Sequence, residues 1–167
     1  WASSSAKVLP SAYLGEAVIV GKDAQVRHCA FVRGSALVGE GAVVGNSTEL
    51  KNVILFDKVE VPHYNYVGDS ILGFHAHMGA GSITSNIKAD KKNIVIRDGD
   101  EHYATGLRKM GAMIGDWADI GCNSVLNPGS VIGRECRVYP LSMVRGLIPQ
   151  KSIYKNAGEI VALREEQ

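Results

Sequence analysis

An apolar residue recurs every six positions early in this chain: Leu14, Val20, Val26, Val32, Val38, Val44, Leu50 and Phe56. Four residues after each comes a second, mostly small series, Val18, Ala24, Ala30, Ala36, Ala42, Thr48 and Ile54. The pattern returns with Ile114, Ile120, Leu126, Ile132, Val138 and Val144, whose small partners are Ala118, Ser124, Ser130, Cys136 and Ser142. A fixed period this short marks a solenoid, and a six-residue unit reads as a parallel β-helix. Each hexad supplies one short flat strand and a turn, and three hexads close a triangular coil. The branched residue points inward and stacks on its counterparts in neighbouring coils. The small residue sits where the turn comes too close to the axis for a larger side chain. Gly15, Gly21, Gly39 and Gly45 follow the inward residue, where crowding or backbone strain would penalise a Cβ. The expected fold is all-β, a left-handed parallel β-helix of hexapeptide repeats.

At 167 residues the chain fits one domain, and 46% hydrophobic content suffices for a continuous core. A net charge of +1 without a basic run gives no push toward nucleic acid or a membrane surface. No apolar stretch approaches a transmembrane length, and no segment reads as a signal peptide with a charged start and apolar run, so none is expected. Cys29, Cys122 and Cys136 form no CxxC pair, which fits a reduced, cytoplasmic protein. The first residue is Trp1 rather than Met, which points to a processed or trimmed N-terminus.

The hexads run from about residue 14 to 61, after an entry segment of residues 1–13. At Pro62 the phase is expected to slip, because Leu72 and Met78 are not multiples of six from Phe56. From Thr84 to Ala112 the period vanishes. That stretch holds an extended run from Asn93 to Arg97 and the turn Asp98-Gly99-Asp100, a hairpin signal. It reads as an arm leaving the solenoid, and long excursions from a regular scaffold are more often functional than idle. The β-helix domain is thus placed at 1–148 with its arm at 84–112, followed by a tail at 149–167 in which Asn156 to Glu166 suits a short helix. Flat solenoid faces have no pocket. Three of them pack around a three-fold axis, so a homotrimer with clefts between subunits is expected by fold analogy.

Interruptions of the repeat are where chemistry is expected. Arg33 and Lys51 lie eighteen residues apart, one full coil, and are expected one above the other. Two stacked cations invite a phosphate or carboxylate between them, unless Glu49 compensates them as surface charges. His63 stands in the slipped turn near Tyr66, and imidazole is the natural general base at neutral pH. His75 and His77 alternate along a strand, which raises a metal reading. A zinc site needs a third ligand, and none of His28, His63 or His102 is convincing, so no bound metal is expected.

The string from Val61 to Asp69, V-P-H-Y-N-Y-V-G-D, followed by Gly79 to Asn86, G-A-G-S-I-T-S-N, resembles a known family. It is the acetyltransferase half of the bifunctional glucosamine-1-phosphate acetyltransferase/N-acetylglucosamine-1-phosphate uridylyltransferases. Phe31-Val32-Arg33 and the run from Gly45 to Lys51 resemble that family's upstream motifs, and the likeness extends over about residues 14–148. The arm and Leu107 to Ala112 look closer still to archaeal two-domain sugar-phosphate nucleotidylyltransferases. The resemblance implies that acetyl-CoA acylates the amine of an amino-sugar 1-phosphate. Arg33 and Lys51 would hold the phosphate, and His63 would be the general base. Tyr66, Asn86 and Lys109 would line the sugar pocket, and Ala80 and Cys122 would contact acetyl-CoA. The family's Asn is His77 here, and an aromatic after the second Asn is Ile87, so the pocket for the sugar is altered and His77 is a candidate to share the work of His63. No Gly-rich nucleotide loop of the uridylyltransferase type occurs within these residues. The competing expectation is a non-catalytic β-helix that binds a sugar phosphate or trimerises a nucleotidyltransferase partner.

Overall fold

A computed structural model describes residues 1–155 and 159–162. These residues form a left-handed parallel β-helix with three faces. On the first face the inward ladder is Val26, Val44, Val61, Met78, Ile120 and Val138. The second carries Val32, Leu50, Val67, Thr84, Leu126 and Val144, and the third Val20, Val38, Leu55, Leu72, Ile114, Ile132 and Ile148. All are buried, and apart from Thr84 they form a single apolar column running the length of the solenoid. Parallel pairing lets each rung bury its side chains on the rung before it, which a lone hexad cannot do.

Corners turn through left-handed backbone. Asp23, Cys29, Ser35, Lys58 and His75 all have φ between 50° and 59° or close above, at one residue per corner. The glycines after inward residues serve a different need. A Cβ on Gly45 would fall on the Pro62 carbonyl of the next rung, so this position needs close approach rather than positive φ.

The repeat departs from strict sixes before Pro62. Leu55 is the inward residue, five after Leu50, and Phe56 is half exposed. Val53 occupies the small slot, while Ile54 faces outward at 40% exposure. The second five-residue step, Val67 to Leu72, falls on the rung above at the same corner. Val61 and Val67 keep their six-residue spacing through Pro62, so the slip lies between the second and third faces and not at Pro62.

The arm is a hairpin, Val95–Asp98 antiparallel to Glu101–Ala104. Its root is pinched where Met110 N donates to Asn86 O at 3.0 Å and Gly111 N to Asp69 O at 2.8 Å. Past residue 148 the first face gains Ser152–Tyr154. The expected C-terminal helix is not formed where it can be seen: Ile160–Ala162 pairs antiparallel with Ser152–Tyr154, an extended partner that satisfies the strand edge. The rest of that segment, 156–158 and 163–166, lies outside the described residues. Among the described residues no helix is long and apolar enough to cross a membrane.

Candidate functional site

Polar side chains gather at the corner between the second and third faces, where the two short steps fall. Lys51 Nζ donates to Asp69 Oδ1 at 2.8 Å, Asn52 Nδ2 donates to the same oxygen at 2.8 Å, and the Asn86 amide donates to Asp69 Oδ2. Asn86 Nδ2 also reaches the Tyr66 hydroxyl at 3.1 Å. Burial opposes ionisation of Asp69, but donation from Lys51, Asn52 and Asn86 and the Lys51 charge outweigh it and hold the carboxyl below its usual range. Gly68 makes room for this cluster: a Cβ there would stand 2.5 Å from the Tyr66 hydroxyl and 2.9 Å from the Asn86 amide. Below it, Ser70, Thr84 and the Gly68 backbone close a buried hydrogen-bond network that also accepts Ala112 N, tying the arm's return to the same corner.

Arg33 and Lys51 are not stacked directly. The shortened coil pairs Gly34, not Arg33, with Lys51. Each cation has its own carboxylate, Arg33 Nη1 lying 3.1 Å from Glu49 Oε1. The two pairs differ in strength. Arg33 and Glu49 are solvent-accessible, at 51% and 32% exposure, and such a pair is worth about 0–1 kcal/mol. Asp69 is 7% exposed and multiply hydrogen-bonded, so Lys51 is far harder to free.

His63 ends the strand Glu60–His63 at the corner between the first and second faces and is exposed. Its position is fixed by Asn65, which sequence reasoning passed over. Asn65 is buried; its Oδ1 accepts His63 N at 3.1 Å, and its Nδ2 donates to Gly79 O at 2.8 Å and Ser82 O at 3.1 Å. The signal was present, since Asn65 stands in a small-residue slot filled on other rungs by Ala30, Thr48, Ser82, Ser124 and Ser142. Among the described residues the His63 ring has no hydrogen-bond partner. On successive rungs of this corner, Gly81 N donates to His63 O at 3.0 Å and Asn123 N to Ala80 O at 2.8 Å. Thus His63, Ala80 and Cys122 fall in one column, with Cys122 exposed.

Lys109 is exposed at the arm root, one residue before the Met110–Asn86 hydrogen bond. His77 is separate from that root. It faces outward on the first face, where Nδ1 lies 2.8 Å from Asp119 Oδ1 on the next rung, and Glu60 is its register partner on the other side. The Asp119 hydrogen bond raises the His77 pKa against the effect of burial, and the same bond lowers that of Asp119. The pair was hidden in the sequence because the arm puts 42 positions between rung neighbours. His75 does not share a face with His77. It is the left-handed corner residue, φ 58°, stacked on Trp117 at 4.2 Å. Among the described residues no three His, Cys, Asp or Glu side chains are grouped as metal ligands.

The arm also roofs an apolar cavity of about 410 Å³ beside the cluster, with Asp69 and Asn52 at its polar end and Ile54, Ile71, Ile96, Leu107 and Met113 among its walls.

No protein-family model matches the chain. Over 136 residues, 81% of its length, it is 31% identical to the bifunctional protein GlmU of Methanococcus maripaludis, of which it covers 33%. A bifunctional sugar-1-phosphate nucleotidylyltransferase/acetyltransferase of Sulfurisphaera tokodaii is 34% identical over 98 residues, 59% of this chain and 24% of that protein. The chain therefore spans a third or less of these relatives. In shape it is similar to a hexapeptide transferase family protein from Anaplasma phagocytophilum, with a TM-score of 0.65, 16% identity, and 99% of this chain and 79% of that one covered. The last likeness is one of fold.

Proposed function

The chain is a hexapeptide-repeat relative of the acetyltransferase half of the bifunctional sugar-1-phosphate nucleotidylyltransferase/acetyltransferases, and on that premise we propose that it transfers an acetyl group from acetyl-CoA to the amine of an amino-sugar 1-phosphate. The observation that carries this reading is the convergence of Lys51 and Asn86 on Asp69 at the root of the arm, with the Tyr66 hydroxyl accepting from the same Asn86 amide.

In the reaction, the amine lone pair attacks the thioester carbonyl carbon. An N–C bond forms, the C–S bond breaks, and coenzyme A leaves as the thiol. His63 takes the proton that the nitrogen sheds and passes it to the departing sulfur, and its ring, without a hydrogen-bond partner among the described residues, is available for that task. Arg33 is the readier phosphate ligand, because exchanging an exposed Glu49 for a bidentate phosphate costs little. Lys51 adds its charge from a fixed position, and Tyr66, Asn86 and Lys109 border the sugar. Ala80 and Cys122, in the His63 column, are suited to the acetyl-CoA side.

A cytoplasmic homotrimer completes the proposal. It is supported by the outward side of the third face, where Ile19, Leu37, Ile54, Ile71 and Met113 are 39–50% exposed on consecutive rungs and would bury apolar surface against another copy.

The test is thiol release from acetyl-CoA with glucosamine 1-phosphate and with galactosamine 1-phosphate. One of them should support turnover, and His63→Ala should abolish it. Undiminished turnover in His63→Ala removes the base; no thiol release with either sugar leaves the non-catalytic reading.

A further inference from the structure

Side chains alternate across the arm strand Val95–Asp98, so its two sides face different spaces. Ile96 turns into the apolar cavity under the arm, whereas Val95 and Arg97 line a second cavity of about 510 Å³ on the opposite side. That second space is walled by the outgoing leg of the arm, with Ile87 and Lys88, and by the C-terminal rungs, with Pro128 and Arg145. It lies on rungs C-terminal to the Lys51–Asp69 cluster.

The packing of the arm here is specific. Gly129 and Gly146, on successive rungs, have φ of 79° and 80°. A Cβ on Gly129 would stand 2.6 Å from Ile94 Cγ2, and one on Gly146 would stand 3.4 Å from the Arg97 carbonyl oxygen. The arm strand therefore rests on two glycine steps, and this seat fixes where Arg97 starts. Neither Arg97 nor Arg145 makes an ion pair or side-chain hydrogen bond among the described residues. Lys88 and Asp90 also line the cavity and pair with each other, Lys88 Nζ lying 3.5 Å from Asp90 Oδ1, so this carboxylate is taken up by Lys88 and the two guanidinium groups supply the excess charge. Two guanidinium groups without an ion-pair partner of their own in one concave space repel each other unless an anion joins them. Planar forks of this kind match phosphate oxygens two at a time.

We propose that this cavity binds the pyrophosphate group of a nucleotide, with Arg97 and Arg145 as its paired ligands. The volume falls within the range of small-molecule sites, well beyond what one inorganic phosphate fills. Ile87, Val95 and Pro128 supply apolar wall for a base or sugar ring. The site is separate from the His63 column, and binding there does not depend on the acetyltransferase reading.

The experiment is calorimetric titration of the whole chain at fixed ionic strength with inorganic pyrophosphate, ADP and coenzyme A. The wild-type chain should bind pyrophosphate saturably, and Arg97→Gln and Arg145→Gln should each weaken it about tenfold. Arg134→Gln should leave it unchanged, because Arg134 pairs with Asp116 outside the cavity. Urea melts of the variants keep loss of fold apart from loss of binding. Tighter binding of coenzyme A than of ADP identifies the acyl carrier as the source of the pyrophosphate; equal binding identifies a free nucleotide. No saturable binding of any probe overturns the proposal, and so does equal weakening by Arg134→Gln, which would mark a diffuse charge effect.

Discussion

Lys51 Nζ and Asp69 Oδ1 are 2.8 Å apart across one rung of the solenoid, at a corner where both adjoining coils are one residue short. The carboxylate is nearly enclosed and takes donors from Lys51, Asn52 and Asn86. Asp69→Asn should cost about 1–3 kcal/mol in urea denaturation at neutral pH, since it leaves buried donors without a charged acceptor. The sign with pH follows from the lowered folded-state pKa. Its contribution is complete above the unfolded carboxylate value near about 4 and is lost as pH falls through the folded value. Wild type should therefore lose stability in acid by a step that Asp69→Asn lacks; identical acid profiles would refute the assignment.

The exposed Arg33–Glu49 pair leads to a kinetic prediction. Arg33→Ala should raise KM about tenfold or more for an amino-sugar 1-phosphate and far less for the free amino sugar, with kcat little changed. Equal effects on the two substrates would take Arg33 away from the phosphate.

Gly68 is buried beneath Tyr66 and Asn86. Gly68→Ala should push the Tyr66 ring end aside and break its 3.1 Å bond to Asn86. The expected result is a raised KM for the sugar at a stability cost of about 1–2 kcal/mol, because flexible side-chain ends yield first. An unaltered KM would show that the Tyr66–Asn86 contact does not shape the pocket.

His77 and Asp119 make a titration prediction. In Asp119→Asn the His77 pKa, followed by NMR, should drop, as its first cause is removed. With a raised folded pKa, the pair's contribution is fully present below the unfolded histidine value and fades as pH rises through the folded one. Both groups are well exposed, so that contribution stays under about 1 kcal/mol. A His77 pKa unmoved by Asp119→Asn would mean the 2.8 Å contact is absent in solution.

Asn65→Ala should destabilise the chain by about 2–3 kcal/mol in denaturant, because the Gly79 and Ser82 carbonyls and His63 N lose a shared buried partner. A change under about 0.5 kcal/mol would show that water replaces the amide.

The six-residue period and the small-residue slots expose the solenoid and most of its core directly. The coil-shortening steps are harder to see, for a physical reason. The outward column of the third face is itself apolar, so around Leu55 the sequence offers Ile54, Leu55 and Phe56 as equally plausible inward residues, and only the pairing of neighbouring rungs selects Leu55. Candidate site residues were legible as motif strings, and two of them, Lys51 and Asn86, meet at Asp69. The acids that hold the basic groups were not. Asp69 stands one full eighteen-residue coil beyond Lys51, although the shortened coil pairs the Lys51 backbone with Gly68, and Asp119 reaches His77 because the arm loops out between them. The His77–Asp119 contact depends on the register across the arm, which a linear pattern does not carry.

The chain departs at Asn86 and comes back at Met110, and a single backbone hydrogen bond spans the gap. Beyond its seat on Gly129 and Gly146, the segment 87–109 is thus free to vary without disturbing the coils on either side. Lengthening it would add only slowly growing closure entropy, about 0.6 kcal/mol per doubling. A scaffold of this kind can keep its spine unchanged while trading one arm for another, and with the arm goes the wall of both cavities.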